Sequence, residues 1–315
     1  MYEQILVPTD GSEHAAVAAE HALAVGRALG ARVHAISAVD VQGRAGVFDA
    51  GGVGQEFRGR LERECEIALE RVRTLAEPDD NLRREMVDGD PVDAISAYVD
   101  AHDIDLIVMG THGRTGISRY VAGSVTEAVL RTVDVPVVTV QASETDEVSE
   151  AETAAETGGT PGQYEEVLLP TDGSAAAEAA VEYGLPLAGI ADARVHVVSV
   201  VDLSDVAASS SGSVATEVLD RLHDDAETAV ERVAEQAAAD GFETERTVLE
   251  GFPARDLLEY AADNDVDLIT MGTHGRTGVS RFLLGSTAER VIRHATAPVL
   301  AVNTRELAAE TEPRQ

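Results

Sequence analysis

DLIVMGTHGRTGISRYVAGS (residues 105–124) decides the fold, because it recurs as DLITMGTHGRTGVSRFLLGS at residues 267–286. Each copy opens as a short apolar run, passes through a Gly-rich turn, and ends in Gly-Ser ahead of a helix-like stretch. Strand, loop and helix in that order are the core of an α/β unit. Working outward, ILVPTDGS (5–12) recurs as VLLPTDGS (167–174), and VPVVTV (135–140) as APVLAV (297–302). The offset is constant: 172 − 10, 272 − 110 and 286 − 124 all give 162. ALERV (68–72) against AVERV (229–233) gives 161, so a one-residue gap lies in the middle of the unit. A period this long is a duplicated domain and not a solenoid repeat.

The first copy reads as five strands alternating with four helices. Ile5-Leu6-Val7 is a buried strand, and Ser12 is a good N-cap for an Ala-rich helix over 13–29 that Gly30 ends. A strand at 32–39 precedes a Gly-rich loop (Gly43, Gly46, Gly51, Gly52, Gly54), then a helix at 56–77 and a strand at 82–87. Pro91 starts a helix at 91–102, Asp105–Met109 is the fourth strand, and a helix at 124–132 leads to a strand at 135–140. Short apolar strands between amphipathic helices imply a parallel sheet covered on both faces. The second copy follows the same order, except that Pro186 should kink or shorten its first helix. The domains are expected at 1–141 and 164–304, with a tail at 305–315. The stretch between, ASETDEVSEAETAAETGGTPGQ (142–163), is acidic, has almost no large apolar residue, and reads as a flexible linker.

The repeated loop has the character of an anion site. Gly110 and Gly272 end a strand, and Gly113, Gly116 and Gly275 let backbone amides approach a ligand without a Cβ in the way. Gly123-Ser124 and Gly285-Ser286 open helices, whose N–H groups and positive dipole end suit phosphate oxygens. At 57 acidic residues in 315, a 15-residue window carries about two or three, yet 110–124 and 272–286 carry none. They do carry His112, Arg114 and Arg119, and His274, Arg276 and Arg281. The plainer reading, that these glycines only shape a turn, does not account for two windows identical at 11 of 15 positions. Pro8-Thr9-Asp10 and Pro170-Thr171-Asp172 end the first strand of each copy, beside Met109 and Met271 at the fourth. Asp10 either accepts from ribose hydroxyls or bonds its own turn backbone. Val39 and Asp40, like Val201 and Asp202, end the second strand, where backbone groups can read an adenine edge.

Composition bounds the remaining possibilities. Net charge is −33, and all 24 basic residues are Arg. Such a surface repels nucleic-acid phosphates and anionic lipid heads, so neither nucleic acid nor membrane is an expected partner. It also repels itself, and about 1 M salt shortens the screening length to roughly 3 Å, so the charge points to a high-salt cytoplasm. No stretch resembles a signal peptide or a membrane span, and the single Cys65 reads as a free, partly buried thiol in an intracellular protein. His34 and His196 read as packing residues. No zinc spacing, Walker A motif or G-x-S-x-G elbow is present.

Taken together, these motifs resemble the universal stress protein family, and G-x-x-G-x(9)-G-[ST] in both copies is similar to its ATP-binding branch. The resemblance implies two tandem doubly wound α/β domains, each a five-stranded parallel sheet of order 3-2-1-4-5 with helices on both faces. It implies ribose contact by Asp10 and Asp172, adenine contact by Val39 and Val201, and phosphate contact by Gly110, Gly113, Gly123, Ser124 and Val125. In the second copy the phosphate group is Gly272, Gly275, Gly285, Ser286 and Thr287, with Thr287 replacing an apolar residue. ATP is the implied cofactor, with Mg2+ or Mn2+ held mainly by its phosphates. It further implies a pseudo-dimer of the two domains through their fifth strands within one chain, and room for further homo-oligomers. The expected function is ATP binding in stress response or signalling, with no evident general base and turnover that is slow at most. Slow ATP hydrolysis or self-phosphorylation is the alternative.

Overall fold

The computed structural model describes residues 2–45, 55–111, 123–142, 162–204, 213–275 and 284–303. The chain divides into two compact units, Met1–Ser149 and Glu150–Gln315. In the first, β1 (Gln4–Pro8), α1 (Glu13–Leu29), β2 (Arg32–Val39), α2 (Val41–Ala45), α3 (Gln55–Leu75), β3 (Leu82–Asp88), α4 (Pro91–Ala101), β4 (Leu106–Gly110), α5 (Ser124–Thr132) and β5 (Val137–Val140) follow one another. In the second these are β6 (Glu166–Pro170), α6 (Ala175–Ala188), β7 (Arg194–Asp202), α7 (Ser213–Ala239), β8 (Thr244–Gly251), α8 (Pro253–Asp263), β9 (Leu268–Gly272), α9 (Ser286–His294) and β10 (Val299–Val302).

Strand order is β3-β2-β1-β4-β5 in the first unit and β8-β7-β6-β9-β10 in the second, all parallel. β1 sets the register, with Gln4 opposite Arg32 on one side and Ile5 opposite Leu106 on the other. Ile5, Leu6 and Val7 are all fully buried. Successive strand residues point to opposite faces, so both faces of the sheet are covered. α1 packs with α3, and α4 with α5.

Local chemistry sets the helix ends. Ser12 Oγ accepts from Ala15 N–H, Gly30 closes α1 in the left-handed conformation, and Ser174 repeats the cap on Ala177. α6 runs through Pro186 and ends two residues later at Ala188, giving 14 residues against 17 in α1; the missing N–H of Pro186 leaves the carbonyl one turn upstream without its helical donor. Where the Gly-rich loop after β2 is expected to begin, Val41–Ala45 is a helical turn, and Asp40 Oδ1 accepts from Gly43 N–H at 2.7 Å; Gly46, Gly51, Gly52 and Gly54 lie outside the described residues. β5 begins at Val137, two residues later than the apolar pattern suggests. Pro136 has no N–H to offer, although its carbonyl accepts from Ile107.

Two polar devices tie each unit together. Asp105 accepts the N–H groups of Glu3 and Gln4, and Asp267 those of Glu165 and Glu166, so each carboxylate pins the first strand's start to the fourth. Burial pushes both carboxyls up, Asp267 to about 6, against the pull of those N–H donors. His34 and His196 are buried, as packing residues would be, but both ring nitrogens are engaged. His34 meets Tyr98 Oη at 3.0 Å and Gln4 Oε1 at 2.9 Å. His196 meets Tyr260 Oη at 3.0 Å and Glu166 Oε2 at 2.7 Å. Among the described residues no helix is long and apolar enough to cross a membrane.

Candidate functional site

Beyond the carboxyl ends of β1 and β4 the strand order reverses, and a crevice opens there, as open α/β sheets require. The first unit's cleft has a volume of about 240 Å³, and the second unit's, beyond β6 and β9, about 360 Å³. Pro8, Thr9, Asp10, Asp40, Met109, Gly110, Gly123, Ser124 and Val125 line the first. Pro170, Thr171, Asp172, Val201, Asp202, Met271, Gly272, His274, Gly275, Gly285, Ser286 and Thr287 line the second. His112, Gly113, Arg114 and Arg276, with Gly116, Arg119 and Arg281, lie outside the described residues.

The Pro-Thr-Asp-Gly segment is a tight turn. Thr9 Oγ1 accepts from Gly11 N–H at 3.2 Å and Asp10 Oδ1 from Ser12 N–H at 2.9 Å, with Gly11 at φ 78°. Thr171, Asp172 and Gly173 repeat this geometry. Asp10 and Asp172 therefore bond their own turns and also face the cleft. Asp40 and Asp202 likewise hold the backbone that follows them, through Gly43 and Ser204.

The glycines divide by role. A Cβ on Gly110 would lie 2.8 Å from the backbone of His14, and one on Gly272 2.7 Å from that of Ala176. These two glycines let the first helix close on the fourth strand. The Gly123 and Gly285 amides donate to Thr111 and Thr273 carbonyls, so both are committed within the loop. The amides turned outward belong to the first helical turn, Ser124–Thr126 and Ser286–Ala288, which helix geometry leaves without intrahelical acceptors. Among the described residues no side chain caps either helix at Gly123 or Gly285, unlike α1 and α6. Gly275 makes room for Asp172, whose Oδ2 lies 2.7 Å from where a Cβ would stand.

The opposite wall was not legible in the motifs. It comprises Ile36 and Ala38 of β2, Leu61, Glu64 and Cys65 of α3, and Pro91 and Ile95 of α4. The second unit places Val198, Val200, Leu222, Ala226, Pro253 and Leu257 there. The duplication holds the signal: Leu61 and Leu222, Pro91 and Pro253, and Ile95 and Leu257 stand at equivalent positions and stay apolar. Val39 turns its side chain into a core cluster with Leu61 and Cys65, and its carbonyl accepts from Gly89 N–H at 3.2 Å. It does not line the first cleft, whereas Val201 lines the second. Each cleft thus joins an apolar slot to a helix terminus rich in donors. Among the described residues no group of three or more His, Cys, Asp or Glu could hold a metal ion.

Comparison with known proteins agrees with this architecture. The universal stress protein MJ0531 of Methanocaldococcus jannaschii is 37% identical over 139 residues, 44% of this chain and 82% of that protein. The universal stress protein MJ0577 of the same organism is 29% identical over 153 residues, 44% of this chain and 94% of its own. A solved universal stress protein from Archaeoglobus fulgidus DSM 4304 shares the fold at a TM-score of 0.66 and 20% identity, across 96% of this chain and 97% of that one. The universal stress protein family description matches residues 1–141 and 163–303, nearly the whole chain, and the chain belongs to that family.

Proposed function

We propose that this chain is an ATP-binding stress-response or signalling protein with one nucleotide site in each domain, built to bind ATP and not to turn it over quickly. The observation that carries this reading is the pairing, in both clefts, of an apolar slot with an uncapped helix terminus at the sheet's switch point. A nucleotide has the matching shape: a flat apolar base at one end and anionic oxygens at the other. The base would lie against Ile36, Leu61 and Ile95, or Val198, Leu222 and Leu257. The phosphates would meet the amides of Ser124–Thr126 or Ser286–Ala288, with Asp10 or Asp172 beside the ribose. A divalent ion, Mg2+ or Mn2+, would be held mainly by the phosphates.

Fast hydrolysis needs an oriented water and a group to position it. Asp10, Asp172, Asp40 and Asp202 all accept from nearby backbone N–H groups, which favours binding over turnover. The acidic surface fits a high-salt cytoplasm.

Calorimetric titration with ATP and Mg2+ in molar salt should give two sites per chain and ADP release well below about 1 s⁻¹. Ser124→Asp sets a carboxylate at the first turn of α5, where it favours the helix and repels phosphate. That variant should retain one site, and Ser124→Asp with Ser286→Asp none. No ATP binding by the unmodified chain, or two sites surviving the double substitution, would reject the reading.

A further inference from the structure

Gly11 and Ser12 share a peptide unit that the first domain holds from both ends. At one end Ser12 N–H donates to Asp10 Oδ1 at 2.9 Å. At the other the Gly11 carbonyl accepts from Arg71 Nη1 at 3.1 Å. Arg71 stands on α3, 60 residues further along the chain. It is exposed and is not among the residues that line the cleft, but α3 also carries Leu61, Glu64 and Cys65 of the cleft wall. The bond from Arg71 therefore ties that wall to the turn that bears Asp10.

A carbonyl that accepts from a cation polarises its own peptide and makes the N–H at the far end a better donor. Here that donor holds the Asp10 carboxylate. The same bond keeps the peptide plane from turning over beside Gly11, which at φ 78° sits where glycine is freest to let it turn.

The second domain keeps the turn and the arginine but gives the arginine another partner. Asp172 Oδ1 accepts Ser174 N–H at 2.9 Å, as in the first domain. Arg232 is the counterpart of Arg71, 232 − 71 being 161, the offset of the ALERV repeat. Its Nη2 pairs with Glu178 Oε1 of α6 at 2.7 Å. The α1 counterpart of Glu178 is Ala16, which has no carboxylate to draw Arg71 away from the turn.

Resting on the nucleotide reading above, we infer that Arg71 is a positioning residue of the first cleft, orienting Asp10 toward the ribose hydroxyls through the Gly11–Ser12 peptide. Glu178 withholds the same brace from the second cleft by engaging Arg232.

The test uses the full chain carrying Ser286→Asp, so that calorimetry in molar salt reports the first cleft alone. The probes are ATP and dideoxy-ATP, which lacks both ribose hydroxyls. Arg71→Ala should weaken ATP binding roughly three- to tenfold, the scale of one net hydrogen bond. It should leave dideoxy-ATP binding unchanged, because that nucleotide offers Asp10 no hydroxyl. Arg71→Lys keeps a cationic donor and should recover part of the loss. In the chain carrying Ser124→Asp instead, Glu178→Ala should tighten ATP binding by a similar factor, again without effect on dideoxy-ATP. Equal losses for the two nucleotides on Arg71→Ala would signal a phosphate contact or a general loosening and would overturn the inference. ATP affinity indifferent to Arg71→Ala, or to Glu178→Ala, would overturn it as well. If the parent first cleft binds both nucleotides equally, the ribose role of Asp10 fails and the inference falls with it. Absence of ATP binding by the unmodified chain would instead remove the nucleotide reading itself.

Discussion

Gln4 and Glu166 stand at equivalent positions, 166 − 4 being 162, and they give the histidine beside them different partners. His34 meets an amide oxygen, His196 a carboxylate. His34 is held down to about 4, first by burial and then by the nearby positive charges of Arg83, His102 and Arg32. The unfolded chain protonates this histidine near its ordinary 6.5. Between about 6.5 and 4 the unfolded state therefore binds a proton that the folded state does not. The stability His34 contributes is complete above that window and is lost as pH falls through it. Gln4→Glu would supply the carboxylate that the second domain has, and an opposite charge at that distance raises a histidine by about one to three units. The His34 titration, followed by NMR of the imidazole carbon, should move up accordingly, and acid unfolding should begin at lower pH. An unmoved titration would show that burial alone governs this site.

At the level of elements, the two domains differ most informatively where the first helix crosses the fourth strand. α1 packs on β4, and the positions of Ala22 in α1 and Val108 in β4 are taken in α6 and β9 by Gly184 and Thr270. Thr270 is 1% exposed, and its hydroxyl has no hydrogen-bond partner among the described residues. A Cβ on Gly184 would lie 2.6 Å from Thr270 Cγ2. Thr270→Val keeps the shape and removes the unsatisfied hydroxyl, so it should stabilise the second domain by about 1 kcal/mol or more. Gly184→Ala gains about 1 kcal/mol of helix propensity, yet forces Thr270 aside in a close-packed core, where overpacking costs about 1–3 kcal/mol. Net destabilisation is expected, read as a lower denaturation midpoint in urea; a midpoint raised by Gly184→Ala would contradict the packing. The same elements show what the sequence could and could not announce. α1, β2 and α5 lie where expected because their ends are marked by local chemistry at Ser12, Gly30 and Gly123. The turn at Val41–Ala45 depends on one Asp40 side chain, which no periodicity reports. The need for glycine at 110 was plain, but not that the backbone of His14 fills the space. The apolar wall of the cleft comes from α3 and α4, helices far apart in sequence that only the crossovers bring to one sheet edge.

For the whole molecule, the charge balance predicts how the fold responds to salt. Acidic residues exceed basic ones by 57 − 24 = 33. Much of the positive charge is already in surface pairs, such as Arg58 with Glu62 and Asp88, Arg232 with Glu178, and Arg246 with Glu231. Salt acts on both signs of interaction. It weakens those pairs, but exposed pairs are worth only about 0–1 kcal/mol each. It also weakens the mutual repulsion of the acidic residues that no arginine can match, and that repulsion grows with the square of the net charge. With 33 unmatched charges the second effect dominates, so added salt should stabilise the protein over the whole range in which screening still changes. The screening length falls from about 10 Å at 0.1 M to about 3 Å at 1 M, so repulsion between surface charges is progressively removed over that range. Thermal unfolding followed by circular dichroism should therefore show Tm rising steeply between low and molar KCl, with helix lost on dialysis to low ionic strength. Choline chloride at equal ionic strength should reproduce most of the rise, because screening does not depend on which cation supplies it. A Tm that stays level from low to molar salt would mean that the acidic surface is not what limits this fold.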